Sequence, residues 1–543
     1  MKVSGHIIDI PNCSVFKGTI VISDGKISSI EQNENVPNQY ILPGFIDAHI
    51  HIESSMVTPY EFSKAAVRHG TVATVSDPHE IANVCGIEGV DFMIDNAKNA
   101  AIHFFFGAPS CVPATKFENA GSTINSESIE YLMARDDIWY LSEMMNWPGV
   151  LHNDPEVLDK IKISKKYSKP IDGHAPGLLG ADAKNYIAKG ITTDHECCTL
   201  DEAKNKLSLG MKIIIREGSA AKNFNALHPL IGTNPEMLMF CSDDKHPDDL
   251  IEGHINLLVK KSISIGYNIF DVLTIACINP ILHYNLPVGF LRVGDSADFI
   301  IIDDIKEWNV THTYIKGELK YANGKTNLAT KVTRIINQFQ CSEIDENSLR
   351  ILNVSTDKIP IIKAVDGALF TEKIVEYPKV VNGYNVADIE RDILKICVIN
   401  RYHTAKPAVG FIQSFGLKGC AIASTVAHDS HNIIALGDSD ALICKAVNLL
   451  VKSKGGLAAV THETYKLLEL PIGGLMSDKS AEEIGKAYRD ISDFVKNYGC
   501  KLSSPFMTLS FMALLVIPKI KISDLGLFDA ESFTFYPSNQ ITP

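Results

Sequence analysis

Eight times between residues 44 and 244 a short apolar run ends in polar or acidic residues, and helical periodicity fills the intervals. The runs cover 44–51, 71–79, 103–113, 138–145, 170–175, 190–196, 211–219 and 236–244. Between them, 59–69, 89–100, 126–135, 155–167, 181–189 and 200–209 repeat apolar residues at intervals of three and four. Such alternation demands right-handed crossovers and a parallel sheet. Eight units over about 200 residues fit a closed (β/α)8 barrel, which usually takes ~250. An open, doubly wound sheet is the competing arrangement.

The flanks follow a different pattern. Residues 3–10, 19–23 and 26–31 are short alternating strands with an Asp24-Gly25 turn, and 288–303 and 310–321 repeat that character after the barrel. The expectation is an α/β fold with four parts. A TIM-like barrel spans 43–284, and a small β-sandwich domain is built from 1–42 and 285–335. A mixed polar linker spans 336–358, and a C-terminal α/β domain spans 359–543. With 543 residues there is chain enough for several domains.

Charge and cysteine usage narrow the function classes. Lys and Arg total 51 against 64 Asp and Glu, a formal charge of −13, which argues against a protein held to nucleic acid by a basic face. Twelve scattered cysteines without a CxxC pair suit a reducing, cytoplasmic setting better than a disulfide scaffold. Residues 1–9 lack the pattern of a signal peptide, and apolar stretches such as 511–518 fall short of the ~20 residues that span a bilayer.

The loops at the C-terminal ends of barrel strands build the site of such a fold. His49 and His51 close the first run two residues apart, on one strand face. Glu143 ends the fourth run, His174 the fifth, His195 the sixth and Asp243 the eighth. Taken singly, each histidine is as readily a core or surface residue, and each carboxylate a helix cap. Together they converge on one mouth. Imidazole with carboxylate, and no thiolate, suits first-row divalent cations. Six donors exceed one tetrahedral shell, which favours two ions with Glu143 bridging them at about 2.0–2.2 Å, because paired cations make a nucleophile of water at neutral pH.

These residues resemble the amidohydrolase superfamily of metal-dependent hydrolases. FIDAHIHIESSMVTP, DPHEIANVCG, SCVPAT, SEMMNWPGV, DGHAPGL, REGSAAKN, CSDDKHPDDL, VAHDSHNI and GLFDAESF are similar, along nearly the whole chain, to the adenine deaminase family within it. The resemblance implies hydrolytic deamination of adenine to hypoxanthine and ammonia by a metal-bound hydroxide, in purine salvage. It implies a binuclear centre of manganese or iron, with zinc also accepted by the ligand set, on His49, His51, Glu143, His174, His195 and Asp243. Glu143 stands where many relatives carry a carbamylated lysine.

Within that frame Asp243 is the expected general base and acid, ahead of its neighbour Asp244. Glu53, Glu80 and Glu217, after the first, second and seventh runs, are candidates to grip or protonate adenine, although Glu217 is equally a partner for the adjacent Arg216. Ser219 is a candidate hydrogen-bond donor to the purine. His79 and Glu80 could support a further metal, hold adenine or cap a helix, and residues 428–432 form a polar turn, structural or at the mouth. The expected partner is adenine, with neither nucleic acid nor membrane, in a homo-oligomer, as a dimer. A cyclic-amide or N-acyl amino acid hydrolase on the same barrel is the alternative, and a non-catalytic scaffold a more distant one.

Overall fold

All eight apolar runs become strands: β1 (Phe45–Ile50), β2 (Thr71–Ser76), β3 (His103–Ala108), β4 (Ile138–Met144), β5 (Ile171–Gly173), β6 (Thr193–Asp194), β7 (Lys212–Arg216) and β8 (Leu238–Cys241), with parallel ladders joining β1 to β5 in order and β6 to β8 in order. Thr192 N donates to Ile171 O at 2.9 Å, which joins β5 to β6. Asp243 N donates to His49 O at 3.0 Å and His51 N to Asp243 O at 3.3 Å, which closes β8 onto β1. The ring is therefore a closed barrel rather than an open sheet. Strands β1 and β2 are buried at every position, as strands covered on both faces must be. Side-chain caps start the intervening helices: Asn125 accepts from Ser128 N, Asp154 from Glu156 N and Thr199 from Glu202 N.

This architecture comes from a computed structural model that describes residues 1–329 and 331–537. The chain divides into two units. The first is Met1–Pro78, Asp91–Ser110 and Asn125–Thr333, and the second is His79–Val90, Cys111–Ile124 and Arg334–Pro543. Position 330 in the expected flank and 538–543 in the expected C-terminal domain lie outside the described residues.

Within the first unit both flanks meet in one hydrogen-bonded sheet of eight strands. Its order is Lys325–Thr326, Glu318–Ala322, Val310–Ile315, Phe299–Ile302, Tyr40–Pro43, Lys2–Asp9, Ser14–Ser23 and Lys26–Gln32. Its strands pack on a shared core of Ile7, Ile20, Ile22, Ile41, Phe299 and Ile301. The run 288–303 yields a strand only at Phe299–Ile302. Upstream, carboxylates satisfy the backbone instead of a ladder: Asp295 accepts from Phe290 N and Arg292 N, and Asp298 from Gly289 N.

The second unit holds another eight-stranded sheet, with Ile393–Ile399, Cys420–Ser424 and Ile433–Gly437 at its centre and the helix Asp440–Ser453 packed on it. Residues 336–358, expected as a linker, place Cys341, Leu349 and Ile351 in this unit's core. The second run was expected to continue to 79. It stops at Ser76 because Pro78 cannot extend a ladder and leads into the helix His79–Cys85.

Candidate metal centre

Four imidazoles and two carboxylates converge at the C-terminal ends of β1, β4, β5, β6 and β8. His49 Nε2 and His51 Nε2 lie 3.2 Å apart, and Asp243 Oδ1 is 3.4 Å from the first and 3.3 Å from the second. Glu143 divides its oxygens. Its Oε1 lies 3.3 Å from His51 Nε2 and 4.0 Å from His49 Nε2, whereas its Oε2 lies 2.7 Å from His174 Nδ1 and 3.3 Å from His195 Nε2. All six residues are buried.

Local backbone structure aims these groups. Asp243 takes a left-handed conformation, φ 53°, where β8 meets β1, so its main chain bonds His49 and His51 while its side chain faces both rings. Beneath it Asp47 accepts from His49 N at 3.3 Å and from Ser242 N at 3.0 Å, fixing the register of β1 against β8. Lys206 lies under the other half, donating to Ala175 O at 2.6 Å and to Asp194 at 2.8 Å, next to His174 and His195.

The electrostatics favour positive charge at the centre. His51 is held well above its usual value: burial opposes this, but hydrogen bonding to Asp243 and Glu143 outweighs it. His174 rises to about 9 against the same burial, through Glu196 and Glu143. Burial would raise Glu143, yet His174 and its neighbours hold it well below the carboxylate range. His49 goes the other way, lowered by burial and by His195. Rings facing carboxylates that stay ionised are the donor set a divalent cation requires, since cation and proton compete for the same lone pairs.

Two residues that the sequence reading assigned no role in the centre stand beside these six. Glu196 Oε1 lies 3.7 Å from His174 Nδ1 and 3.5 Å from His195 Nε2. Arg216 Nη1 contacts Glu196 Oε1, its Nη2 donates to Glu196 Oε2 at 3.0 Å, and Nη1 donates to Asp243 Oδ2 at 2.7 Å. The strand-end rule that found the others applies to both. It was obscured because Arg216 looked like the partner of Glu217. Successive strand residues face opposite sides. Glu217 accordingly turns outward, 3.5 Å from Lys261.

The remaining candidates separate clearly. Ser219 donates to Asp249 at 2.5 Å and accepts from His246 N, so its hydroxyl is engaged away from the six. Asp244 accepts from Ser54 Oγ at 2.5 Å, and its charge is felt at His51. Glu53 is buried on the turn Ile52–Ser55, directly after His51. Glu80 belongs to the second unit, where its two oxygens contact His428 Nδ1 and His431 Nε2. Ala427 N donates to His431 Nδ1 at 3.2 Å, so the ring turns its Nε2 toward Glu80. Glu80, His428 and His431 form a buried cluster of the kind that can hold a metal ion, which keeps the expected further metal at Glu80 open beside a hydrogen-bonded contact with the polar turn.

Comparison with known proteins gives the same chemistry. Residues 40–320 match the amidohydrolase family, and residues 368–534 match the adenine deaminase C-terminal domain. The chain is 49% identical to an adenine deaminase of Salinibacter ruber over 98% of both chains, and 52% identical to one of Sulfurovum sp. over 99% of both. A solved β-aspartyl dipeptidase from Fervidobacterium islandicum AW-1 aligns with 61% of this chain and all of its own at 16% identity, with a TM-score of 0.46.

Proposed function

The chain belongs to the adenine deaminase family of the amidohydrolases and is an adenine-deaminating enzyme with a divalent metal cofactor, and we propose that His49, His51, Glu143, His174, His195 and Asp243 hold two such ions. The observation that carries this reading is the division of Glu143, one oxygen toward His49 and His51 and the other toward His174 and His195. A single ion would leave one histidine pair without a role. Manganese or iron suits this nitrogen and oxygen set, and zinc fits it as well.

Held by these six residues, paired cations would supply a water of lowered pKa and positive charge to offset the negative charge that builds on the purine. The chain supplies the rest. Asp243 keeps Oδ1 toward the histidines as a carboxylate, able to take a proton from water and return it to the departing amine. Glu53, buried and two residues beyond His51, is the acid we assign to the purine ring. Glu217 lies 3.5 Å from Lys261 and Ser219 donates to Asp249, and on these contacts we assign neither to the ring's protonation.

Among the described residues no helix is long and apolar enough to cross a membrane. The test is Glu143→Ala beside wild type, with metal content by elemental analysis and turnover of adenine and adenosine on the same samples. Turnover should fall by ~10³-fold or more, the scale on which catalytic groups act, and bound metal should fall with it. Wild-type metal content and rate in the variant, or equal turnover of adenosine and adenine by wild type, would overturn the assignment.

A further inference from the structure

Arg216 is an unusual occupant for the floor of a cation site. Its guanidinium is buried beside Asp243, and its own charge would oppose cations held by the histidines. Two carboxylates account for its being there. Glu196 takes the Nη1/Nη2 edge in a two-pronged contact, and Asp243 takes Nη1. The three side chains come from the ends of adjacent strands: Glu196 follows β6, Arg216 ends β7 and Asp243 follows β8. A residue on the middle strand can therefore reach both neighbours. Asn223 secures it, accepting from Arg216 N at 2.7 Å, donating from its own N to Arg216 O at 3.0 Å, and donating from Nδ2 to His195 O at 2.9 Å.

We propose that Arg216, clamped by Glu196, is a positioning residue for Asp243: by occupying Oδ2 it leaves Oδ1 alone to face His49 and His51. The inference rests on the function proposed above and adds a division of labour within one carboxylate. Without the guanidinium on Oδ2, Asp243 is free to rotate, and Oδ1 loses the orientation in which it faces His49 and His51 and exchanges a proton with water. Glu196 balances the arginine, so the pair adds no net charge next to the metal. An unpaired arginine there would weaken cation binding, and Glu196 without the arginine would keep only His174 and His195, 3.7 and 3.5 Å away, to offset its buried charge.

The test uses the full-length metal-loaded enzyme and four variants: Arg216→Met, Arg216→Lys, Glu196→Gln and the double variant Arg216→Met with Glu196→Gln. Arg216→Met should lower kcat by about 100-fold, the cost of misplacing a reacting group by an ångström, with KM changed less than a few-fold. The manganese-loaded variant should retain its metal, and its electron paramagnetic resonance spectrum should change as Asp243 alters its coordination. Arg216→Lys keeps the charge without the fork and should recover part of kcat. The double variant should outperform Arg216→Met because the carboxylate that lost its guanidinium is neutralised with it.

A kcat within about threefold of wild type in Arg216→Met sinks the proposal, as does a loss of rate that only tracks loss of metal. If Arg216→Met fails to fold, Arg216→Lys decides it: wild-type kcat with an unchanged manganese spectrum is the overturning result. Glu143→Ala measured alongside keeps the two readings apart. An inactive, metal-depleted Glu143→Ala beside a fully active Arg216→Met removes this inference alone, whereas an active Glu143→Ala removes the function it stands on.

Discussion

Lys521 is a buried lysine of the second unit. It is fully buried on the strand Ile520–Ser523, and its ammonium donates to Leu369 O at 2.7 Å and to Phe511 O at 2.8 Å, two carbonyls and no carboxylate. Burial pushes its pKa down to about 7 from an ordinary 10.5. The unfolded chain therefore binds the extra proton across that interval, so stability rises as pH increases from 7 toward 10.5. At roughly 1.4 kcal/mol per pKa unit, the whole interval is worth a few kcal/mol. Lys521→Met should flatten this rise and be the more stable protein near pH 7. Urea denaturation of both proteins at several pH values checks it, and parallel curves would refute it. Side chains like this one are hidden from a sequence reading, because nothing in KISDLG announces that the lysine points inward. The metal ligands were legible for the opposite reason: strand ends in a barrel share one mouth, so identity and position suffice. Arg216 met the same criterion but was masked by adjacency, since an arginine next to Glu217 reads as a local pair until the chain turns the two apart, and with Arg216 so read nothing marked Glu196 as its partner.

Elements were legible where apolar runs are continuous and less so where side chains replace the ladder. Gly44 shows how tightly the legible part is packed. It joins the flanking strand Tyr40–Pro43 to β1, and a Cβ there would lie 2.0 Å from Val72 Cγ1, a fully buried residue at the start of β2. Gly44→Ala should therefore destabilise the first unit by about 1–3 kcal/mol, the usual cost of overpacking. Gly410→Ala in the second unit, where the nearest atom to a Cβ is 3.6 Å away, should cost nothing measurable. Denaturation midpoints compare the two, and equal losses would show that the clash is relieved. Strands β5 and β6 illustrate the less legible part. They were expected over 170–175 and 190–196 but reach only Ile171–Gly173 and Thr193–Asp194. Gly173 N bonds Thr193 Oγ1 at 3.3 Å and Ala175 N bonds Asp194 Oδ1 at 2.9 Å, so side chains satisfy the backbone where a ladder would have continued. Frayed ends of that kind carry His174 and His195, free of the pleat and able to turn inward.

The whole molecule divides its chemistry unevenly, and that asymmetry is testable by removing the metal. Every proposed ligand lies in the first unit, drawn from five of the eight barrel strands, while the net charge of −13 favours the approach of cations over that of anions. An ion that binds the folded barrel and not the unfolded chain stabilises it by RT ln(1 + [L]/Kd), about 2.7 kcal/mol at a hundredfold excess over Kd. Chelation withdraws this contribution from the strands that converge on the ion and leaves the sheet of the second unit with the contacts it already has. Hydrogen exchange resolves the two. After chelation, amides of 45–51, 138–144, 171–174 and 238–243 should lose protection by about 100-fold, the equivalent of that free energy. Amides of Ile393–Ile399, Cys420–Ser424 and Ile433–Gly437 should exchange as before. Protection unchanged in the barrel would mean that the ligands are held in place without a cation. Equal loss in both sheets would mean that metal bound by the first unit sets the stability of the whole chain, contrary to the expectation that only the barrel loosens.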